Sequence, residues 1–385
     1  MDANRGDGGH EGGMTYLDYQ ATTPIAPEVA EAMQPWAKDK FANPHSPSRW
    51  GREAAAAVEV ARKQVEQAIG LKGGSVAFAG SATEAINWAI KGTIEKAGPG
   101  RIRIVTVQTE HAAVLDSCEW LEKHGVEVTY LPVGSDGLLN IDDLKASLNE
   151  NVALVAVMLV NNEIGVVQPV AEIARLAHEA GALMLCDAVQ GLGRIEIPDG
   201  PDLVAISAHK IHGPKGIGAL WMRKGAEPAP LIHGGGQEVG LRSGTLSPAL
   251  CVGFGAAAKL ASERVESDRE HIEQLWAAAF DTLGADWTVN GSLHERYHGN
   301  LNIRREAIDA ERLISDLRDI AFSLGSACAS GSGRPSHVLR AIGLSDREAR
   351  SSIRLGFGRY TTEQELVAAI TRINEAAEAQ ERFAA

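Results

Sequence analysis

The stretch Leu203–Gly216 reads LVAISAHKIHGPKG, and the stretch Leu183–Gln190 reads LMLCDAVQ. In both, a short apolar run that is typical of a buried strand ends abruptly in polar residues. Ligands of open α/β sheets bind at the carboxyl ends of the strands. Asp187 and Lys210 are therefore predicted to converge on one pocket at the edge of a mainly parallel sheet.

The residues around these two stretches predict the rest of an α/β fold. From about residue 52 to residue 223, Ala-rich helical segments alternate with short β-branched runs, as in βαβ units. Residues 171–180 place apolar side chains at the spacing of a helix that covers a sheet. The predicted strands are Ile102–Thr106, Val126–Leu131, Val152–Leu159, Ala182–Cys186, Leu203–Ser207 and Ile217–Met222.

The chain is long enough for two domains. Its 385 residues exceed the roughly 250–300 residues at which a single core stops growing. A helical stretch from about residue 257 to 283 marks the boundary, which predicts a large domain over residues 27–259. Residues 14–26 and 260–385 are assigned to a smaller α+β domain, and the strand-like start of the first piece is expected to pair with the C-terminal region. The Gly- and Asp-rich residues 1–13 are expected to be a flexible tail.

Composition and charge narrow the classes of partner. The formal net charge of −13, from 37 basic and 50 acidic residues, argues against a broad surface for nucleic acid or membranes. No apolar run reaches the ~18 residues of a membrane span, and the first residues do not have the pattern of a secretory signal. The four cysteines, Cys118, Cys186, Cys251 and Cys328, are far apart and form no zinc-site or disulfide pattern. A cytoplasmic location is expected, and no metal site built from protein ligands is predicted.

The pair Asp187 and Lys210 is suited to an aldehyde cofactor. A lysine amine bonds an aldehyde only when a fraction is uncharged, which burial achieves by lowering its pKa. An aspartate beside a heterocyclic nitrogen keeps that nitrogen protonated, so the ring can accept electrons from a substrate. Taken alone, a lysine after a strand is more often part of an ion pair at the sheet edge or simply solvated, and both alternatives stay open at this point.

A second candidate feature is the stretch Ala79–Asn87, in which a short strand runs through small residues into a helix. The free N–H groups at Ala82 and Thr83, together with the helix dipole, favour an anion such as a phosphate. Taken alone, a Ser-Ala-Thr-Glu sequence is more often a helix cap with a capping-box acid, which is the alternative interpretation.

Cys328 differs from the other cysteines in its surroundings. It lies within residues 325–333, where three glycines and small Ser or Ala neighbours permit large backbone excursions. A cysteine on such a loop can reach a bound ligand and then a partner. Without that loop, Cys328 would be interpreted as another packed hydrophobic side chain. Cys118, Cys186 and Cys251 lie in helical or strand patterns and are expected to pack as small hydrophobic side chains.

Ten motifs give residues 14–366 a resemblance to the cysteine desulfurases of the NifS/IscS type. The motifs are LDYQATTP, ANPHSPSRWGREA, GSATEAIN, TEHAAVLDS, VNNEIGVVQP, CDAVQ, SAHKIHGPKG, GGGQEVGLRSGT, GSACASGSGRPSHVL and SIRLGFGRYTTEQEL. The resemblance implies a pyridoxal-phosphate (PLP) enzyme of fold type I, with a mainly parallel seven-stranded sheet in the large domain and a smaller α+β domain. It implies conversion of L-cysteine to L-alanine, with a persulfide formed on Cys328 and passed to an acceptor.

The resemblance also implies catalytic and ring-binding roles. Lys210 would bond the cofactor aldehyde, Asp187 would contact the pyridine nitrogen, and Gln190 would contact the phenolic oxygen. His111 would stack on the ring and move protons near neutral pH. Without the resemblance, His111 would be interpreted as a surface histidine. Cys328 would be the catalytic thiol.

Phosphate and substrate contacts are implied in the same way. The phosphate contacts would be Ala82, Thr83, Ser207 and His209, with Thr245 supplied by the second subunit of a homodimer. Asn162 would contact the cofactor and the substrate carboxylate, and Arg354 would bind that carboxylate through its planar fork. Without the resemblance, Arg354 would be interpreted as a surface arginine beside Arg359.

Several positions depart from the family pattern. Ser48 and Val239 replace a histidine and an arginine, Ala329 replaces a common threonine, and the family's SIRFSLGR is SIRLGFGR here. These changes favour a branch specialised for one sulfur pathway, with the DndA-type desulfurases of DNA phosphorothioation as a candidate. The expected acceptor is an iron–sulfur scaffold or a phosphorothioation enzyme, and Cys328 would ligate an iron–sulfur cluster only transiently.

Two other functions stay open from the sequence. One is another PLP reaction on the same fold, such as that of an aminotransferase or a selenocysteine lyase, in which Cys328 is incidental. The other is a non-catalytic scaffold for a sulfur-transfer complex. The retained set of Lys210, Asp187, Gln190 and His111 argues against the scaffold.

Overall fold

The computed structural model describes residues 13–98, 100–324 and 335–384. The loop that contains Cys328 and, apart from Gly13, the expected flexible tail of residues 1–13 lie outside the described residues. The strands are β1 (Thr15–Tyr16), β2 (Gly74–Ala79), β3 (Arg103–Val107), β4 (Glu127–Leu131), β5 (Val152–Ala156), β6 (Leu183–Asp187), β7 (Leu203–Ser207), β8 (Gly218–Arg223), β9 (Thr288–Val289), β10 (Asn300–Arg304), β11 (Ile320–Ala321) and β12 (Ser352–Gly356). The helices are α1 (Pro27–Lys38), α2 (Arg49–Ile69), α3 (Ala82–Lys96), α4 (Ala112–Glu122), α5 (Ile141–Ser147), α6 (Val170–Glu179), α7 (Pro248–Leu283), α8 (Ala310–Asp316), α9 (His337–Ala341), α10 (Asp346–Arg350) and α11 (Glu363–Ala384). Over those same ranges, no helix combines the length and the apolar character that crossing a membrane requires.

The large sheet has seven strands in the order β2-β8-β7-β6-β5-β3-β4. Strands β7, β6, β5, β3 and β4 pair in parallel, whereas β8 is antiparallel to both β2 and β7. Parallel strands with both faces covered are apolar throughout, and β5 and β7 are buried at every residue. The prediction of a mainly parallel seven-stranded sheet is confirmed.

The predicted strands agree with the observed ones to within one residue, except at the end of β5. This strand ends at Ala156 rather than at Leu159. The Met158 N–H donates to the side chain of Glu110 at 2.6 Å instead of to a neighbouring strand. Pairing with β3 ends at Ala156, whereas the Val157 and Leu159 N–H groups still donate to the Leu185 (3.1 Å) and Asp187 (2.9 Å) oxygens of β6, so the run predicted up to Leu159 continues on that side.

Helix α7 contributes to two hydrophobic cores. Its first half places Cys251 and Phe254 in the core that contains the large sheet, and its second half places Ile272 and Leu275 in a separate core. The helix has 36 residues and is therefore about 54 Å long. It begins earlier than the predicted residue 257, because Ser247 caps it and proline is favoured in a first helical turn. The division into residues 27–259 and 260–385 stays a prediction.

The N-terminal segment pairs with the C-terminal region, as its strand-like start predicts. Strand β1 lies parallel to β11, with Thr15 opposite Ile320. Asp18 then forms a bridge to Gly356 in the three-stranded antiparallel sheet β12-β10-β9. The following residues, Asp18–Thr23, reach the loops after β6 and β7 and are called the N-terminal crossover below.

Candidate active site

Lys210 lies in a single 3₁₀ turn that follows β7. Its Nζ donates to the main-chain oxygens of Gln20 (2.5 Å) and Ala21 (2.7 Å), so the amine contacts carbonyls rather than a carboxylate. Burial lowers the pKa of Lys210 to about 7, and the charges of Arg194 and Arg354 act in the same direction. A large fraction of the amine is therefore uncharged at neutral pH, which is the form that bonds an aldehyde. The alternative of a solvated lysine is wrong.

Asp187 is the last residue of β6 and is 7% exposed. Its Oδ1 accepts the Val189 N–H at 2.9 Å. Burial raises the pKa of Asp187, whereas the positive charges of His111 and Lys210 oppose that rise. A protonated ring nitrogen beside Asp187 would favour the ionised carboxylate in the same way. The carboxyl is thus suited to a cationic heterocycle.

The start of α3 forms the predicted anion site. Ser81 caps the helix, and its Oγ accepts the Glu84 N–H at 3.1 Å. The N–H groups of Ala82 and Thr83 also belong to the first turn, where no intrahelical partner is available. The cap and the anion site are therefore compatible, because they use different donors.

The other phosphate candidates adjoin this helix start. Ser207, at the end of β7, pairs with Gly218 of β8. A Cβ on Gly218 would lie 2.5 Å from the Ala82 nitrogen, so β8 and the start of α3 are in close contact. His209 has its Nδ1 3.1 Å from the Thr22 hydroxyl oxygen. Burial, reinforced by nearby cations, lowers the pKa of His209 to about 4, so the imidazole is neutral at pH 7.

The Gly-rich segment before Thr245 contacts helix α3 through Arg242. Arg242 donates to Glu84 through Nε (2.6 Å) and Nη2 (3.1 Å). Glu84 Oε2 also accepts the Gly80 N–H, not the N–H of Ser81, so the capping-box interpretation is wrong. Thr245 itself is exposed, and its assignment to the site of a second subunit stays a prediction.

His111 is half-buried at the start of α4. Its Nδ1 accepts the Ala113 N–H at 3.0 Å, so a neutral ring carries its proton on Nε2. A positive charge on His111 favours ionisation of both Asp187 and Glu163, which places the ring near these buried carboxyls. The adjacent Glu110 is 1% exposed, and burial raises its pKa well above the usual value. Sequence reasoning did not single out Glu110 or Glu163.

Arg354 is 1% exposed, so its interpretation as a surface arginine is wrong. Its Nη1 donates to the main-chain oxygen of Asn162 at 3.0 Å. Its Nη2 donates to Asp18 Oδ1 at 2.7 Å and to Ser323 Oγ at 3.1 Å. Arg359 is also buried but belongs to a separate ion pair. The Arg354 guanidinium is therefore placed in the site and already binds one carboxylate.

The N-terminal crossover supplies contacts that sequence reasoning did not assign to the site. Gln20 accepts the Gln190 Nε2 on its main-chain oxygen at 3.0 Å. Arg194 donates to the Lys210 oxygen at 3.0 Å and to Gln190 Oε1. The contact of Gln190 with a phenolic oxygen stays a prediction. The motif LDYQATTP was a signal for the crossover, whereas nothing in the local sequence distinguishes Arg194.

Three of the four cysteines are buried free thiols, as predicted. Burial raises the pKa of Cys118 and Cys251 to about 12 and that of Cys186 well above its usual value. These thiols are protonated at neutral pH and are poor nucleophiles. Cys328, the candidate catalytic thiol, lies outside the described residues.

The fold and the site define an α/β enzyme with a partly uncharged lysine at the end of a strand. The Aminotransferase class-V model matches residues 15–368, and the chain belongs to this family. The cysteine desulfurase IscS of Rickettsia bellii (strain OSU 85-389) is 45% identical over 367 residues, which are 93% of this chain and 90% of that protein. A solved NifS-like protein superposes with a TM-score of 0.87 at 33% identity, covering 94% of this chain and 99% of the other. The crystal structure of DndA from Streptomyces lividans gives a TM-score of 0.74 at 33% identity, with coverages of 89% and 99%.

Proposed function

We propose that this chain is a PLP-dependent cysteine desulfurase that converts L-cysteine to L-alanine and carries the sulfur on Cys328. The observation that carries the proposal is the buried amine of Lys210, whose pKa is lowered to about 7 in a site that also holds Asp187 and Arg354. The 45% identity to a cysteine desulfurase IscS supports the same reaction.

The residues of the site fit PLP. Lys210 would bond the aldehyde, Asp187 would contact the ring nitrogen, and Gln190 and His111 would contact the phenolic oxygen and the ring face. The phosphate would be held by Ala82, Thr83, Ser207 and His209, and by the partner subunit's Thr245. When bound, the cofactor supplies an electron sink for the α-carbon of the substrate.

The side chains of the site would bind the substrate and move its protons. Arg354 would bind the α-carboxylate through its guanidinium, and Asn162 lies beside it. Lys210 is partly uncharged and can therefore accept a proton from the α-carbon. His111 would exchange a proton through Nε2, because its Nδ1 is occupied by the Ala113 N–H.

Sulfur transfer requires a nucleophile from the protein. The thiolate of Cys328 would attack the sulfur of the bound cysteine, so that a new S–S bond forms. The Cβ–Sγ bond of the substrate breaks, and its electron pair goes to the carbon fragment, which takes up a proton at Cβ and leaves as alanine. The enzyme keeps a persulfide. The other cysteines are unsuited because burial raises their pKa values.

The acceptor is proposed from the comparisons. The 45% identity to an IscS protein favours an iron–sulfur scaffold protein as the acceptor. The 33% identity to DndA supports a phosphorothioation enzyme as the second candidate. We place the enzyme in the cytoplasm as a homodimer, in which the exposed Thr245 is available to the partner's site.

The reaction is tested by mass spectrometry of the holoenzyme after incubation with L-cysteine. We expect one added sulfur atom on the peptide that contains Cys328, together with free alanine. The Cys328→Ser variant should keep the visible absorbance of the bound cofactor but release no sulfide. Sustained sulfide release by this variant would instead indicate a lyase that does not use Cys328. A protein that gains no absorbance with added PLP would indicate a scaffold.

A further inference from the structure

Gly356, the last residue of β12, leaves a space that the side chain of Gln20 fills. A Cβ built on Gly356 would lie 1.7 Å from Gln20 Oε1, 2.8 Å from Gln20 Cδ and 2.9 Å from the Tyr19 nitrogen. Gln20 is 3% exposed, and its Nε2 donates to the Gly299 oxygen at 2.8 Å. A side chain at position 356 and the observed position of the Gln20 amide therefore exclude each other.

Neither group can move without breaking a buried contact. If the Gln20 amide swung away, its Nε2 would lose the Gly299 oxygen inside the protein, where an unpaired donor is costly. The contact with Tyr19 involves the main chain, which is fixed on both sides. The Tyr19 N–H donates to the Gly356 oxygen at 3.2 Å, and the Gly356 N–H donates to the Leu17 oxygen at 2.8 Å. A larger residue at 356 would thus displace the backbone of the N-terminal crossover.

That backbone is in direct contact with the reactive lysine. The Gln20 oxygen accepts both Lys210 Nζ at 2.5 Å and Gln190 Nε2 at 3.0 Å. Two residues earlier in the chain, Asp18 binds Arg354 at 2.7 Å. A displacement at Gln20 would therefore be transmitted to Lys210 directly and to Arg354 through Asp18.

We propose that Gln20 and Gly356 form a size-matched pair of positioning residues that fixes Lys210 relative to Arg354. The pair explains one departure from the family pattern, because glycine stands here where SIRFSLGR has serine. A serine at 356 is incompatible with Gln20 as it is placed in this chain. The proposal rests on the proposed function for its turnover measurement and, through the PLP cofactor, for its binding and absorbance measurements.

The test is a double-mutant cycle on the full-length holoenzyme with the variants Gly356→Ser, Gln20→Ala and Gln20→Ala/Gly356→Ser. A misplacement of about 1 Å at a reacting group can cost roughly 100-fold in rate, so we expect Gly356→Ser to lower kcat by roughly 10- to 100-fold. We also expect it to weaken PLP binding and to shift the pH titration of the cofactor absorbance. The double variant should recover most of each loss, because removal of the Gln20 amide empties the space. Gly98→Ser is the matched control, since a Cβ on Gly98 meets no atom within 4 Å.

The outcomes separate positioning from simple packing. If Gly356→Ser matches the wild type in PLP affinity, absorbance titration and turnover, the proposal is wrong. The proposal is also wrong if the double variant does not exceed Gly356→Ser in PLP affinity and turnover. If Gly356→Ser is insoluble, the double variant decides: soluble protein that binds PLP supports the pair, and insoluble protein contradicts it. Failure of the proposed function is recognised independently, since the wild type would then form no alanine from cysteine although the absorbance readings still report the pair.

Discussion

The strand-end half of the site and the half built on the N-terminal crossover are assembled in different ways. Asp187 ends β6 and Lys210 follows β7 within three residues, so local sequence fixes their positions. The bond between Asp18 and Arg354 instead joins residues 336 positions apart, and that between Lys210 and Gln20 spans 190 positions. Burial sets the reactivity of the first half, whereas long-range packing sets the placement of the second. Mutations in the two halves should therefore impair the enzyme in different ways.

The largest effect is expected for Lys210→Ala, which removes the reactive group of the strand-end half. We expect no covalent attachment of PLP after borohydride reduction and a loss of about three orders of magnitude or more in kcat, because no other amine replaces this one. Peptide mapping of the reduced protein and an alanine assay measure the two results. The exposed Lys224→Ala is the control and should behave as the wild type. Cofactor found on a lysine other than Lys210 would contradict the assignment of the strand-end half.

A smaller loss is expected for Arg354→Ala, in the half fixed by long-range contacts. A charge-assisted hydrogen bond is worth about 1.5–3 kcal/mol, so kcat/KM for cysteine should fall by roughly 10- to 100-fold. Arg354→Lys should not restore it, because an ammonium cannot reproduce the planar fork. Steady-state kinetics with cysteine measures both variants.

The control for these variants is Arg264→Ala, which removes a guanidinium whose side chain is 45% exposed. PLP absorbance should be retained in all three proteins. A normal kcat/KM in Arg354→Ala would exclude the carboxylate-binding role and would leave Arg354 as a structural partner of Asp18.

The effect of Asp18→Asn links the two halves and is expected to be smaller still. The negative charge of Asp18 raises the pKa of Lys210, in opposition to burial. Its removal should lower the pKa of Lys210 further, so the pH dependence of PLP attachment to the cofactor-free protein should move to lower pH. Stopped-flow absorbance between pH 6 and 9 measures this. An unchanged or upward-shifted profile would show that the crossover does not act on the lysine through charge.

The smallest effect concerns stability rather than turnover. Burial lowers the pKa of His212 to about 3 and that of His209 to about 4, from 6.5 in an unfolded chain. Below pH 6.5 the unfolded state therefore binds more protons than the folded state. The free energy of unfolding should fall by up to ~1.4 kcal/mol per histidine for each unit by which the pH is lowered. Urea unfolding at pH 7.0, 6.0 and 5.0 measures the slope.

The variant His212→Asn is suited to this test. Asparagine tolerates the left-handed backbone at this position, where φ is 65°, and it can still donate to the Pro24 oxygen. Its slope between pH 6.5 and 5 should be smaller than that of the wild type. An identical slope would show that His212 does not contribute to acid destabilisation.

The same contrast explains what the sequence could predict. The strands, the mainly parallel sheet and the strand-like start at Thr15–Tyr16 follow from apolar periodicity and turn residues, which are local. The number of seven strands came from the family resemblance. The positions of Asp187 and Lys210 follow because each directly succeeds an apolar run. Periodicity cannot show that the Met158 N–H donates to Glu110 rather than to a neighbouring strand, or that β8 runs antiparallel to its neighbours.

The N-terminal crossover could be predicted only in part. The motif LDYQATTP contributed to the resemblance, but no pattern in it shows that the Gln20 oxygen lies 2.5 Å from Lys210 Nζ. Arg194 and Glu163 are missed for the same reason, since their contacts come from packing between distant segments. Arg354 lies in β12, an outer strand of the smaller antiparallel sheet. It is buried because Asp18, Asn162 and Ser323 from distant segments contact its guanidinium, whereas isolated arginines are usually exposed.

Helix α7 has a consequence for how the molecule comes apart. One uninterrupted backbone carries Phe254 in one core and Leu275 in the other, so melting either core frees a helical segment on which the other depends. Heat or denaturant should therefore disrupt both in a single cooperative transition. A fragment that stops in the middle of α7 would expose part of an apolar core to water, and it should aggregate rather than behave as an independent module.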